Sequence, residues 1–178
     1  QPARNGWHGR TGARRAGGVQ VSLQRPSGAA HQLARLLQIG VVLEEVVEAR
    51  AERHVETTEL DPEVVALLED AVAESAEHRR RLEELIDELD AETVPFEEIE
   101  RLVAAQYESD EEFDGVLYDQ LCNEETAYKF YDDLIEAIER SAMDFGVDRD
   151  RLVGVLEAIR EEEAGGAEAV TELMEERA

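Results

Sequence analysis

Apolar residues recur every three or four positions along four long segments of this 178-residue chain, and no segment shows the strict alternation of a strand. This spacing places apolar side chains on one face of an α-helix, so the sequence predicts an all-α protein. The four stripes comprise Leu33, Leu37, Val41, Ala51 and Val55; Leu68, Ala71, Leu82, Leu85 and Leu89; Leu117, Leu121, Tyr128, Tyr131, Ile135 and Ile138; and Leu152, Leu156, Ile159, Val170 and Leu173.

Helix start and stop signals divide the chain. The pair Asp61-Pro62 is typical of a helix start, Gly146 of a helix end, and Asp148 of an N-cap. We therefore predict long helices over 30–57, 62–89 and 110–145 and from 148 nearly to the end, with a short helix over 95–107. The two short loops make each pair antiparallel, and the roughly twenty residues after 89 can cross the bundle. The predicted architecture is an antiparallel four-helix bundle with a long crossover between the second and third long helices, which carries the short extra helix.

Charge separates the first thirty residues from the rest. The stretch 1–30 contains five arginines and no acidic residue, whereas the remainder holds 44 acidic against 13 basic residues. The first stretch is rich in Gly, Arg, Ser and Pro and shows no helical period, so we predict a disordered basic tail over 1–30 and the bundle over 31–178. A targeting peptide and an anion-binding arm are the alternatives for the tail.

The composition excludes several classes of function. A net charge of −26 argues against binding nucleic acid or anionic lipid through a basic face. Apolar runs are too short for a membrane span. A single cysteine, Cys122, excludes an internal disulfide framework and a cysteine-rich zinc site, and suits a reducing, cytoplasmic compartment. The dense carboxylates are similar to the halophilic composition of proteins from salt-loving organisms.

Four polar residues interrupt the apolar stripes near the middle of the helices: Glu48, His78, Glu124 and Glu163. Mid-helix positions of packed antiparallel helices lie at similar heights, so these side chains are expected to converge. Unpaired buried carboxylates cost several kcal/mol and need protons or a cation. Oxygen and imidazole ligands suit iron, manganese or zinc better than copper(I), so we predict a metal site.

Four further residues are predicted as accessory to this site. Glu44 lies one turn before Glu48, Glu74 lies four residues before His78, and Glu162 precedes Glu163. Tyr131 could hydrogen-bond a ligand carboxylate, or simply fill the core. The alternative for His78 is a core histidine that is hydrogen-bonded to a seam glutamate.

The stretch Asn123-Glu124-Glu125-Thr126-Ala127-Tyr128-Lys129-Phe130-Tyr131 resembles the third-helix motif of ferritin-like, rubrerythrin-related proteins. In that motif a ligand glutamate precedes a small residue by three positions and a tyrosine by seven. The resemblance extends over 31–178 and implies a ferritin-like bundle. It also implies a di-iron site, built from one glutamate on each of the first and third helices and a Glu-x-x-His pair on each of the second and fourth.

Carried onto this chain, the resemblance assigns Glu48 and Glu124 as the single glutamates, with His78 and Glu163 from the pairs. The sequence departs from the pattern at two positions: Ser75 replaces the second-helix glutamate, and Gly166 replaces the fourth-helix histidine. The remaining ligands could hold one iron or manganese ion, so a mononuclear site is expected rather than a complete di-metal centre.

Two functions follow as hypotheses. The first is a metal-binding ferritin-like protein with redox or peroxide chemistry; an enzyme of this kind would be a non-haem iron oxidoreductase of rubrerythrin-like type. The second is a degenerate, metal-free bundle that acts as an interaction or oligomerisation module. The resemblance implies a homo-oligomer, most simply a dimer, and an electron donor whose identity the sequence does not specify.

Overall fold

A computed structural model describes residues 28–107 and 115–178, and this part of the chain consists of five helices with no strand. The helices are α1 (Ala29–Thr57), α2 (Pro62–Glu88), α3 (Phe96–Tyr107), α4 (Val116–Arg140) and α5 (Arg149–Glu176). For these residues the prediction of an all-α protein is confirmed, and the expected short helix is present as α3. Most of the predicted tail over 1–30, and the predicted start of the third long helix at 110, lie outside the described residues.

Side-chain contacts explain where α4 and α5 are separated. The carboxylate of Asp148 accepts hydrogen bonds from the backbone N–H groups of Asp150 and Arg151, so the predicted N-cap of α5 is present. The prediction that the preceding helix reaches Phe145 is wrong, because α4 ends at Arg140. The guanidinium of Arg149 donates hydrogen bonds to the backbone carbonyls of Ile138, Ser141 and Met143. These hydrogen bonds stabilise the earlier end of α4.

The helices pack on one another as a helical bundle with two extensive contacts. One is between α1 and α2, and the other is between α4 and α5. The interface between α1 and α4 is less extensive, and that between α2 and α5 is smaller again. Gly40 permits one close approach, since a Cβ there would lie 3.1 Å from Leu82 and 3.3 Å from Phe130. The thin contact between α2 and α5 leaves room for a cleft described below.

The short helix α3 lies against the outer face of α1. Val42 and Leu43 of α1 form a small apolar cluster with Ile99 and Val103 of α3. The amide of Gln38 exchanges two hydrogen bonds with the backbone of Val94, at 2.8 and 3.1 Å, just before α3 begins. These contacts fix the connection between α2 and α3 on the bundle.

Two apolar clusters enclose a polar layer in the middle of the bundle. The larger cluster includes Leu37, Leu82 and Ile159, and the smaller one includes Ala51 and Leu68. Charged side chains of α1, α2, α4 and α5 lie between them and are buried: Glu44, His78, Glu124 and Glu163. Within residues 28–107 and 115–178, no helix combines the length and the apolar character that crossing a membrane requires.

Candidate metal centre

Three buried side chains from three helices form the centre of the polar layer: Glu44 of α1, His78 of α2 and Glu163 of α5. His78 Nδ1 lies 3.0 Å from Glu163 Oε1 and 3.3 Å from Glu44 Oε1. One ligand atom from each residue lies within 4.8 Å of the other two, and no other such group of His, Cys, Asp or Glu occurs in the part of the chain that the structure describes. The arrangement supplies two carboxylates and one imidazole.

The two oxygens of Glu44 have different surroundings. Oε1 accepts a hydrogen bond from the hydroxyl of Tyr131 at 2.6 Å, and both residues are almost fully buried. Oε2 is buried without a hydrogen-bond partner among the described residues. A buried polar atom without a partner costs free energy of folding. A cation or a hydrogen-bond donor beside this oxygen would therefore stabilise the protein.

The outer nitrogen of His78 is held by a second carboxylate. Nε2 lies 2.8 Å from Glu162 Oε2, and that carboxylate also accepts hydrogen bonds from Arg81 at 2.9 and 3.2 Å. A carboxylate that accepts the proton of one ring nitrogen orients the ring and leaves the other nitrogen available to a metal. Glu162 therefore has the geometry of an outer partner that directs Nδ1 towards Glu44 and Glu163.

Burial and hydrogen bonds within the layer raise the pKa values of three of its groups. Burial lowers the pKa of His78, but hydrogen bonds to Glu163 and Glu44 outweigh it, so that the pKa is raised well above its usual value. Burial, the charge of Glu44 and the neighbouring Glu124 raise the pKa of Glu163 against the opposing effect of His78. Burial and Glu44 also raise the pKa of Tyr131, which therefore remains a neutral donor. All three shifts favour the protonated form of the group concerned.

Glu124 lies beside this centre on α4 and is also buried. Its carboxylate accepts a hydrogen bond from Gln120 at 2.8 Å. A Cβ on Gly166 would lie only 2.6 Å from Glu124 Oε2, so the carboxylate occupies the space that a side chain at that position would need. At position 166, where the resemblance implies a histidine, the space is thus occupied by the carboxylate of Glu124, and Ser75 is buried on α2.

The structure distributes the sequence-predicted residues in two groups. It brings His78 and Glu163 together, with Glu124 beside them, and it includes the accessory residues Glu44, Glu162 and Tyr131 in direct contacts.

Glu48 lies outside the three-residue group, where its carboxylate pairs with Arg79 at 2.8 Å. Glu74 is 39% exposed, and its oxygen is 3.9 Å from His78 Nε2. Burial, countered by His78 and reinforced by surrounding carboxylates, raises the pKa of Glu74 to about 7.

A second polar cluster joins α1 to α4 and was not anticipated from the sequence. Asp119 is buried in the first turn of α4 and accepts hydrogen bonds from Arg50 at 2.6 and 3.3 Å and from His54 at 2.8 Å. Burial raises the pKa of Asp119, but these hydrogen bonds outweigh it and leave the pKa below its usual value. The signal available in the sequence was the Arg50–His54 spacing of one helical turn.

Comparison with models of known protein families, with curated proteins and with solved structures gives no match to this chain. The fold and the site define its class: an all-helical protein whose buried polar layer contains a Glu–His–Glu group that could hold a metal ion.

Proposed function

We propose that the protein binds one divalent metal ion, iron(II) or manganese(II), between Glu44, His78 Nδ1 and Glu163. The observation that carries this proposal is the convergence of the three ligand atoms within 4.8 Å in a buried layer. The unpartnered Oε2 of Glu44 supports it, because a metal ion would satisfy that oxygen. Two carboxylates and one imidazole are ligands that these two ions accept readily.

The residues around the ligands suit a site with open coordination positions. Three protein ligands leave room for small exogenous molecules, and a bound iron or manganese ion would supply redox or peroxide chemistry there. Tyr131 orients Glu44, and Glu162 orients His78, so the chain holds two of its three ligands through outer hydrogen bonds. We propose a mononuclear site, with Glu124 as a neighbouring carboxylate rather than a ligand of the same ion.

The proposal includes an antiparallel, ferritin-like arrangement of the four long helices. Contacts between α1 and α2 support it, because Gly40 lies close to Leu82 and Glu44 lies close to His78. The residue number increases along α1 in the direction in which it decreases along α2, as in an antiparallel pair. The position of one polar layer across α1, α2, α4 and α5 is the second support.

The competing function is a metal-free helical module whose buried charge is settled by protons alone. The hydrogen bonds from His78 to Glu44 and Glu163 favour it, because an imidazolium in this place would offset one carboxylate without any ion. The two functions differ in metal content, and the same experiment decides between them.

Metal content should be measured on protein produced with added iron or manganese and washed at high ionic strength, which removes ions held loosely by the acidic surface. We expect about one equivalent per chain, lost in His78→Ala and retained in His54→Ala. His54 is a matched control because it also lies 2.8 Å from a carboxylate oxygen, that of Asp119. Circular dichroism checks that both variants fold. Less than about a tenth of an equivalent in the wild type, unchanged in His78→Ala, would reject the metal site in favour of the metal-free module.

A further inference from the structure

The thin contact between α2 and α5 leaves a cleft of about 680 Å³. Seven carboxylates line the cleft, and no lysine or arginine is among its described lining residues. Its lining also includes small and apolar side chains such as Ala71 and Leu173. The cleft therefore combines one sign of charge with low-dielectric walls, which concentrates the electrostatic field inside it.

Most of the outer carboxylates of the cleft are not neutralised by neighbours. Asp70, Glu172 and Glu176 form no ion pair in the part of the chain that the structure describes, whereas Glu162 pairs with Arg81 and Glu63 lies 3.7 Å from Arg177. An unneutralised rim attracts cations from solution and repels anions.

The cleft does not include the buried centre, but it is lined by side chains that contact the centre. Glu44, His78 and Glu163 are each at most 5% exposed, but His78 contacts Glu74 and Glu162, whose side chains are both 39% exposed. These two partly exposed glutamates line the cleft, as does the buried Glu124. Two partly exposed groups that contact His78 thus lie on the wall of the cleft.

Gly165 leaves part of the α5 wall of the cleft free of side chains, whereas the carboxylate of Glu124 occupies the space beside Gly166. Gly165 and Gly166 both line the cleft on α5, and a Cβ on Gly165 would meet no atom within 4 Å. A larger side chain at 165 would therefore project into open space without disturbing the packed core.

We propose, on the basis of the proposed function, that the cleft between α2 and α5 is the route by which a hydrated divalent cation reaches and leaves the Glu44–His78–Glu163 centre. The rim carboxylates raise the local concentration of cations, and the open space at Gly165 leaves room for their passage. The unpartnered Oε2 of Glu44 lies within the centre at which the route ends.

Obstruction of the cleft tests the route most directly. Binding and release of Co²⁺, followed by its absorption in stopped-flow mixing and chelator-chase experiments, give both rate constants for the full chain. We expect Gly165→Leu to slow binding and release by the same factor, about tenfold, and to leave the equilibrium Kd unchanged. Gly154→Leu is the matched control, since Gly154 also lies within α5 with no atom within 4 Å of its Cβ position.

Removal of the negative charge of Asp70, Glu172 and Glu176 tests whether the rim of the cleft attracts cations. The triple variant Asp70→Asn, Glu172→Gln, Glu176→Gln should slow Co²⁺ association about tenfold at low salt, with a difference that disappears at high ionic strength. A control triple variant that removes three exposed charges elsewhere should change the rate less than about twofold. The control substitutions are Glu52→Gln, Glu56→Gln and Glu139→Gln.

The outcomes separate this inference from the function on which it rests. Unchanged rates in Gly165→Leu, with normal Co²⁺ binding in the wild type, would overturn the route alone. A rate reduction that is equal in the two triple variants would also overturn the role of the rim. A wild type that binds no Co²⁺ would overturn both the route and the metal site.

Discussion

Replacement of Glu44 by glutamine tests whether the metal ligand on α1 is Glu44, as the structure indicates, or Glu48, as the sequence predicts. Glu44 contributes one of the three converging ligand atoms, whereas Glu48, one turn further along α1, pairs with Arg79. Glutamine preserves the volume of the side chain and its ability to accept the hydrogen bond from Tyr131. Glu44→Gln therefore removes charge and metal affinity with little change in packing, and Glu48→Gln is its matched control.

The expected magnitude follows from the number of ligands. Loss of an outer partner of a metal ligand typically lowers affinity by roughly 10–100-fold, so loss of one of only three ligands should cost at least about 100-fold. Metal at about 100 times the wild-type Kd stabilises the folded state by about 2.7 kcal/mol. For a body of this size, that corresponds to a rise of about 5–11 °C in Tm.

Thermal unfolding with and without manganese at this fixed concentration measures the effect. Each variant is compared with its own metal-free sample, so any change in intrinsic stability cancels. We expect the wild type and Glu48→Gln to show the full rise, and Glu44→Gln to rise by only about 1–2 °C. A full rise in Glu44→Gln, or its loss in Glu48→Gln, would refute the assignment of Glu44 as a ligand.

Three further substitutions test neighbouring features. Tyr131→Phe removes the hydroxyl that orients the α1 ligand, and chelator competition should show metal affinity about tenfold weaker; equal affinity would contradict that role. Gly154→Ala should stabilise α5 by about 0.5–1 kcal/mol in urea unfolding, whereas Gly166→Ala should give no gain because its Cβ would meet Glu124 at 2.6–2.9 Å. The pKa of Asp119 is lowered in the folded state, so its stabilising effect is complete above the unfolded value of 3.8 and is lost as the pH falls through the lower folded value. Acid titration of stability should therefore be flatter in Asp119→Asn, and an unchanged slope would contradict this.

Periodicity predicts the helices of this chain well because each one buries a single face. The helix start at Pro62 and the N-cap at Asp148 follow from local chemistry and lie where they are expected, although the side chain of Asp61 forms no capping hydrogen bond. The end of α4 could not be read in the same way. It depends on hydrogen bonds from Arg149 across the turn, and the apolar Phe145 is buried without being helical.

The candidate site could be predicted only to within one helical turn. Glu44 and Glu48 both lie on the stripe of α1, because residues four apart share a face. Which of them meets His78 depends on the axial register between α1 and α2, and the register is set by packing contacts such as Gly40 against Leu82. The spacing of residues along one helix does not determine its register against another helix. It does predict that His78 and Glu163 lie inside the bundle, and both are buried.

The proposed metal ion would account for a polar layer whose contribution to stability alone is weak. Breaking a buried charge pair destabilises a fold, but replacing the whole group with apolar residues often stabilises it, so a buried Glu–His–Glu group is weak support for a purely structural role. An apolar layer at Glu44, His78 and Glu163 would join the two clusters above and below it into one continuous core. The chain instead keeps an unpaired carboxylate oxygen at the centre and an unneutralised acidic cleft beside it. The unpaired oxygen costs stability when no cation is bound, and a divalent ion in the centre would satisfy it.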